Sequence, residues 1–410
     1  MKKLLMIAYH FPPLAGSSGI QRTLRFVRHL PSFGWEPLVL SVSPRAYERT
    51  SDDLSADIPT DTVVNRAFAL DTARHLSFRG RYAAAMARPD RWASWKFDGV
   101  RQGLRMIEAH RPTAIWSTYP IATAHVIGAL LHKKTGLPWI ADFRDPMAQE
   151  DYPVDPVTRR QFMAIESEAI ARASFSLMTT PGAASMYRRR YPASAERIRI
   201  LENGYDEESF VDAELAVATN PSPLNPGQFT FLHSGIIYPS ERDPTQLIVA
   251  LGRLKRQFPE SAGRIRFRFR AAVHDGLLND LARAHGVESA IETLPPIPYR
   301  EALAEMLRAD GLLVMQAANC NDQVPAKIYE YLRARKPVLS LTDPAGDTAT
   351  VLRNAGCAEI ADIANSDQIQ AALTPYLAGR PTIALPSDEI VMAASRRQRT
   401  AQLAALLNSL

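Results

Sequence analysis

The feature that most limits what this chain can become is a twice-repeated alternation of short apolar runs with longer amphipathic stretches. Residues 4–9, 37–42, 113–117, 138–142, 175–179 and 197–201 predict strands, and residues 20–30, 121–134 and 159–173 predict helices. The alternation resumes with strands predicted at 229–233, 265–270, 311–315 and 337–341 and helices at 245–257, 299–308 and 325–334. Strands that are apolar along their whole length need cover on both faces, which is the condition of a parallel sheet flanked by helices. The predicted class is therefore α/β, with two doubly wound Rossmann-like domains. Such domains face each other across a cleft and bind ligands near the carboxyl ends of their strands.

The densest cluster of chain breakers is Asn220-Pro-Ser-Pro-Leu-Asn-Pro-Gly227, and a boundary belongs near it. The expected division is a first domain over residues 1–215, a second over 216–388, and a last helix over 389–410 that packs back across the junction. Two domains suit 410 residues. With 46% hydrophobic and 22% charged residues, long disorder is excluded. Only Cys320 and Cys357 are present, which excludes a disulfide framework and a multi-cysteine metal site and suits a reducing compartment. The start, Met1-Lys2-Lys3 and then residues 4–9, imitates a secretory leader, but the apolar run is short and Pro12-Pro13 stop it. It is expected to be a buried first strand of a cytoplasmic protein.

Charge is concentrated in residues 72–111. Nine basic residues (Arg74, Arg79, Arg81, Arg88, Arg91, Lys96, Arg101, Arg105, Arg111) face three acids (Asp90, Asp98, Glu108), against a net charge of +5 for the whole chain. Phe78, Tyr82, Trp92, Trp95 and Phe97 lie among them. Basic residues mixed with tryptophan suit an anionic membrane surface, and they also suit a solvated face with two core tryptophans. No nucleic-acid reader motif accompanies the charge, so no nucleic-acid partner is expected.

The loop Phe11-Pro-Pro-Leu-Ala-Gly16-Ser-Ser-Gly19 joins the first strand to the first helix. Its glycines and the free N–H groups of a helix start fit contact with an anion, or a plain strand–helix turn. Asp142-Phe-Arg144-Asp145-Pro146 follows a strand, and Asp145 beside an arginine fits either orientation of a hydroxyl or an Asx turn. His125, on the helix after Ser117-Thr-Tyr-Pro120, is the first-half histidine candidate.

The second half carries the richest cluster. Phe229-Thr-Phe-Leu-His-Ser-Gly235 is a strand ending in a glycine turn, and Arg242-Asp-Pro244 then opens a helix. Asp322-Gln-Val-Pro325-Ala-Lys327-Ile-Tyr-Glu330 places Lys327 in a first helical turn behind Pro325. One ligand would meet Asp322, then an anion site with Lys327, then Glu330; sugar hydroxyls, a diphosphate and ribose hydroxyls have that order. A capped amphipathic helix with solvated Lys and Glu uses the same residues. No Asp-x-Asp occurs, so a diphosphate would be neutralised by Arg, Lys and helix N-termini, and neither a metal nor a cofactor is expected.

In this order, Tyr9-His-Phe-Pro-Pro-Leu-Ala-Gly16-Ser-Ser-Gly19, Ala141-Asp-Phe-Arg-Asp-Pro146, Glu202-Asn-Gly-Tyr-Asp206 with Phe210, His233-Ser-Gly235 and Val324-Pro-Ala-Lys-Ile-Tyr-Glu-Tyr-Leu332 resemble the GT-B-fold glycosyltransferases of family 4 over nearly the whole chain. The resemblance implies transfer of a sugar from a nucleotide-sugar donor to an acceptor hydroxyl, with retention and without a metal. It implies that Glu330 binds the ribose, that Asp322 stands where the family has its earlier acid, and that Pro298 and Tyr299 hold the base. The usual Gly-Arg is Gly235-Ile236 here, and Arg242 is the substitute beside Lys327 at the diphosphate. The acceptor is expected to be a lipid-linked or surface-polysaccharide precursor, lipopolysaccharide among them, met at the inner face of the cytoplasmic membrane. A sugar-nucleotide epimerase of the same fold and a non-catalytic nucleotide-sugar-binding protein are the alternatives.

Overall fold

The computed structural model describes residues 1–17, 19–150, 152–357, 359–379 and 384–410. The chain divides into two compact units, one made of Met1–Asn203 with Arg396–Leu410, the other of Gly204–Ser395.

The first unit is built on a seven-stranded parallel sheet. Its strands are β1 (Lys2–Ile7), β2 (Trp35–Val42), β3 (Val63–Ala67), β4 (Ala114–Thr118), β5 (Trp139–Arg144), β6 (Phe175–Met178) and β7 (Ile198–Ile200), in the order β3-β2-β1-β4-β5-β6-β7. The continuous apolar runs have the reason expected of them. Side chains alternate along a strand, so Leu5 and Ile7 enter one core with Trp95, Ile127 and Phe162, while Leu4 and Met6 enter another with Leu24, Phe26 and Trp116. Helices Trp95–His110, Ala122–Thr135 and Pro156–Arg172 supply the first core. Helix Gly19–His29 and the returning helix Arg396–Asn408, through Leu403 and Leu407, supply the second.

The second unit repeats the plan with six parallel strands, β8 (Phe229–Ser234), β9 (Ile265–Arg270), β10 (Ile291–Leu294), β11 (Gly311–Gln316), β12 (Val338–Thr342) and β13 (Ile360–Ala361), ordered β10-β9-β8-β11-β12-β13. In β11, Leu313 and Met315 face one core, and Leu312 and Val314 the other.

Three expectations need revision. The second unit begins at Gly204 rather than 216, because helix Glu207–Thr219 buries Phe210 and Ala213 in that unit's core. The stretch 389–410 is not one helix. It breaks at Ala394–Ser395, where Asp388–Ala393 ends with Val391 and Ala394 in the second unit's core, and Arg396–Asn408 belongs to the first unit. Strands β3, β10 and β13 were not expected; each is short and only partly buried. Within residues 72–111, Trp95 is fully buried and Trp92 packs on the first core, donating its Nε1–H to the Ala46 carbonyl at 3.1 Å. Among the described residues, no helix is long and apolar enough to cross a membrane.

Candidate active site

In both sheets the strand order reverses beside the first strand of the unit, between β1 and β4 and between β8 and β11. Connections leave such a point in opposite directions and open a crevice at the carboxyl ends of the strands. Past the carboxyl ends of the strands lie the candidate residues: in the first unit the loop after β1 and Arg144–Asp145 at the end of β5, in the second Gly235 and Arg242 after β8, Pro298–Tyr299 after β10, and Asp322, Lys327 and Glu330 after β11.

In the first unit, the loop after β1 turns through Gly16 at φ +79° and enters the helix at Gly19. A Cβ on Gly19 would stand 2.4 Å from His10 Nδ1 and 2.5 Å from Arg144 Nη1. Any side chain there would have to displace His10 or Arg144, which flank the same point. Ser17 Oγ lies 2.9 Å from His10 Nδ1 and accepts the Gly19 N–H at 3.2 Å. Ser18 of this motif lies outside the described residues. Burial, aided by the Arg144 charge, pushes His10 down to about 3 and holds the imidazole neutral. Arg144, at the end of β5, has a left-handed backbone (φ +63°). One of its N–H groups points to the Tyr119 carbonyl at 3.4 Å, its Nε is buried without a partner, and no carboxylate lies within ion-pair distance among the described residues. Burial holds its guanidinium below the usual range. Burial also raises the carboxyl of Asp145, against the pull of Arg144.

The other acid of this motif has a different task. Asp142 is fully buried and grips Arg22 through two bonds of 2.9 and 2.8 Å, while Thr118 Oγ1 donates to it at 3.0 Å. Arg22 also donates to the Leu201 and Glu202 carbonyls. This pair ties β5 to the first helix and to the segment after β7.

His125 is not brought to this cluster. It is fully buried, its Nδ1 is 2.8 Å from Ser117 Oγ, and its ring packs on Phe143 and Trp139. Burial drives it down to about 4. The expectation of a reactive histidine on this helix fails because the helix turns it into the core; His10, on the first loop, is the histidine at the crevice. A histidine directly after a strand and before a glycine loop was the signal for it.

In the second unit, β8 delivers His233 and Gly235. His233 is buried, donates from Nδ1 to the Leu313 carbonyl at 3.1 Å, and presents Nε2 to the Lys327 amine at 3.2 Å. Burial and the neighbouring Lys327 hold it well below the usual histidine range, so the ring is neutral and accepts from the lysine. Gly235 has φ +130°, and a Cβ there would lie 3.1 Å from Lys327 Nζ. Lys327 opens the helix Lys327–Ala334. Burial and Arg242 lower its amine to about 7, with Glu330 opposing. Arg242 donates to the Ile236 carbonyl at 3.0 Å and stacks 5.2 Å from the Tyr238 ring centroid. Glu330 accepts from the Tyr299 hydroxyl at 2.8 Å, and Pro298 precedes the helix Tyr299–Arg308.

Gly235, Arg242, Lys327, Glu330, Tyr299 and Pro298 are thus drawn together, with His233, to which motif spacing assigns no role, as the partner of Lys327. Asp322 sits exposed on the turn before the Lys327 helix. Two cations, a helix N-terminus and a glycine turn have the chemistry to hold an anion, and a carboxylate fixed by a tyrosine lies beside them. Among the described residues, no group of three or more His, Cys, Asp or Glu could hold a metal ion.

Residues 18–204 match the model of the glycosyl transferase 4-like domain. No curated protein is close enough in sequence to count as a relative. Among solved structures, the chain is similar to sucrose-phosphate synthase from Thermosynechococcus elongatus, with 13% identity, TM-score 0.68, and 100% and 99% of the two chains covered. HepE of Anabaena in complex with UDP is 15% identical, with TM-score 0.68 and both chains covered in full. The α,α-trehalose 6-phosphate synthase from Burkholderia multivorans is 13% identical, with TM-score 0.66 over 100% and 99% of the chains. At these identities the likeness is one of fold.

Proposed function

We propose that this chain, a family 4 glycosyltransferase of the GT-B fold whose first unit is a glycosyl transferase 4-like domain, moves a hexose-type sugar from a nucleotide-sugar donor to an acceptor hydroxyl with retention. The observation that carries the reading is the second unit's cluster of Lys327, Arg242, Gly235 and the Tyr299–Glu330 pair. The diphosphate takes the two cations and the N–H groups at the start of the Lys327 helix. Glu330, aimed by Tyr299, takes the ribose hydroxyls, and the Pro298–Tyr299 backbone takes the base. Asp322 reaches the donor sugar. Similarity to HepE, solved with UDP and with UDP-glucose, supports a donor of that class.

Breaking the bond to a diphosphate leaves charge on its oxygens. Lys327 and Arg242 neutralise it, so the reaction proceeds without a metal or a cofactor. The acceptor belongs to the first unit, beside Gly16, Gly19, His10, Arg144 and Asp145. A neutral imidazole and a carboxyl there can orient a hydroxyl and accept its proton. The acceptor is a lipid-linked or surface-polysaccharide precursor at the inner face of the cytoplasmic membrane.

A thermal-shift panel of UDP-, GDP-, ADP- and CDP-sugars tests the donor, because a ligand of the folded state raises its stability. One of the four should raise Tm, and Glu330→Ala should abolish the shift. A flat panel overturns the reading. Incubation of the stabilising donor without acceptor separates transfer from epimerisation: an isomerised sugar nucleotide would mark an epimerase.

A further inference from the structure

The amine of Lys327 is held in a way that suits a nucleophile as well as a cation. Among the described residues it has no carboxylate within ion-pair distance, and its hydrogen-bond partner is His233 Nε2 at 3.2 Å. The His233 Nδ1–H is committed to the Leu313 carbonyl at 3.1 Å, so Nε2 of the neutral ring acts only as an acceptor. An uncharged amine in this position gives one N–H to the imidazole and keeps its lone pair for another direction. One direction is open. A Cβ built on Gly235 stands 3.1 Å from Lys327 Nζ and 3.8 Å from Cε, and among the described residues, its chain neighbours aside, it meets nothing else within 4 Å. The bare glycine thus leaves an approach to the nitrogen, and Lys327 stays partly exposed.

The groups that face this amine are His233 from β8, Arg242 from the segment after β8, and Glu330 from its own helix, whose carboxylate is tied to the Tyr299 hydroxyl. Burial and the Arg242 charge together lower the amine to about 7. At pH 7.5 most of Lys327 is therefore uncharged, whereas an ordinary exposed lysine is uncharged in about one part in a thousand. Arg242 and the start of the helix Lys327–Ala334 have the chemistry to hold a phosphate beside it.

We propose that Lys327 is a modification site for acyl phosphates: Arg242 and the helix start hold the phosphate, and the amine attacks the adjoining carbonyl carbon. A carbon–nitrogen bond forms and the bond from that carbon to the phosphate oxygen breaks. The phosphate leaves with the proton the amine gives up, so acetyl phosphate and lysine become an amide and inorganic phosphate. The amide is uncharged where the proposed function needs a cation, and acylation therefore withdraws Lys327 from the diphosphate. The inference rests on the anion-holding part of the proposed donor site and not on sugar transfer.

The test is treatment of the full chain with acetyl phosphate at pH 7.5, with acetylation followed at each lysine by mass spectrometry. The exposed Lys2, Lys133 and Lys134 are the references within the same sample. Lower basicity costs an amine some nucleophilicity, yet Lys327 is expected to react at least about tenfold faster than these. Between pH 8 and 9.5 its rate should level off while theirs keep rising. Inorganic pyrophosphate, which competes for the anion position, should slow Lys327 and leave the references unchanged. Arg242→Ala should slow it severalfold at unchanged Tm. Lys327 acetylated no faster than the references, a rate that climbs with theirs above pH 8, or indifference to pyrophosphate would each overturn the proposal, and all three are read on the wild-type chain. Sugar-nucleotide binding to the acetylated protein reports on the donor site separately: its loss is expected, and its retention counts against the donor role of Lys327 and not against acylation.

Discussion

Lys327 is the most informative single residue. Its amine titrates near neutrality because it is buried beside Arg242, and among the described residues only a neutral imidazole is its hydrogen-bond partner. A sugar nucleotide keeps its two diphosphate charges unchanged between about pH 7 and 8, below the titration of a uracil or guanine ring N–H, so the pH dependence of its binding there isolates this amine. Below pH 7 the lysine is already charged and binding takes up no proton. Above pH 7 binding must recharge it, and affinity should fall by up to about tenfold per pH unit. Calorimetric titration of the donor across this range checks it; a constant Kd would contradict the assignment. Lys327→Ala or Arg242→Ala should lower turnover at least about tenfold. Arg144→Gln should lower turnover by a similar factor with donor affinity unchanged, since Arg144 belongs to the other unit's cluster. A loss of donor affinity instead would move it from the acceptor to the donor. Lys327, Glu330 and Gly235 were legible because they stand in two short motifs whose local geometry is fixed by a strand end and a helix start. His10 and Arg144 stand inside motifs that do not mark them out, because what makes them meet is the pairing of β1, β4 and β5, a contact over more than 130 positions.

At the scale of elements, long buried strands and amphipathic helices could be read from periodicity, and the short edge strands could not. β3, β10 and β13 have two to five residues and a half-wet face, so their sequences carry little alternation. Helix Trp95–His110 was hidden by its charge, since only Trp95, Gly99, Gly103 and Met106 of its sixteen residues are buried. Its neighbour, helix Ala122–Thr135, shows how tightly this layer is packed. A Cβ on Gly128 would lie 2.8 Å from Trp139 Nε1 and 2.9 Å from Ser117 Oγ, atoms that bond each other at 2.9 Å. Gly128→Ala should therefore destabilise the protein by about 1–3 kcal/mol through overpacking, although alanine alone favours a helix by about 1 kcal/mol. Urea unfolding reads the sign, and a stabilised variant would refute the packing argument.

For the whole molecule, the sequence indicated two α/β units and a returning terminal helix, and missed where that helix divides. The division follows from burial: Val391 belongs to one core, and Leu403 and Leu407 to another. The first unit is thus built from two separated stretches of chain. Beyond its apolar face, the returning helix donates from Arg399 to Glu202 and the Asn203 carbonyl, and Asn408 accepts from Trp35 Nε1. The helix Arg396–Asn408 is translated only after the whole second unit, so the first unit's long stretch emerges early yet waits with Leu24, Phe26 and Leu30 uncovered by it until some 190 further residues have been translated. Over that interval the nascent chain carries an apolar face of the kind chaperones shield, and a single protease nick at either crossing would leave the early unit in two docked pieces rather than set it free.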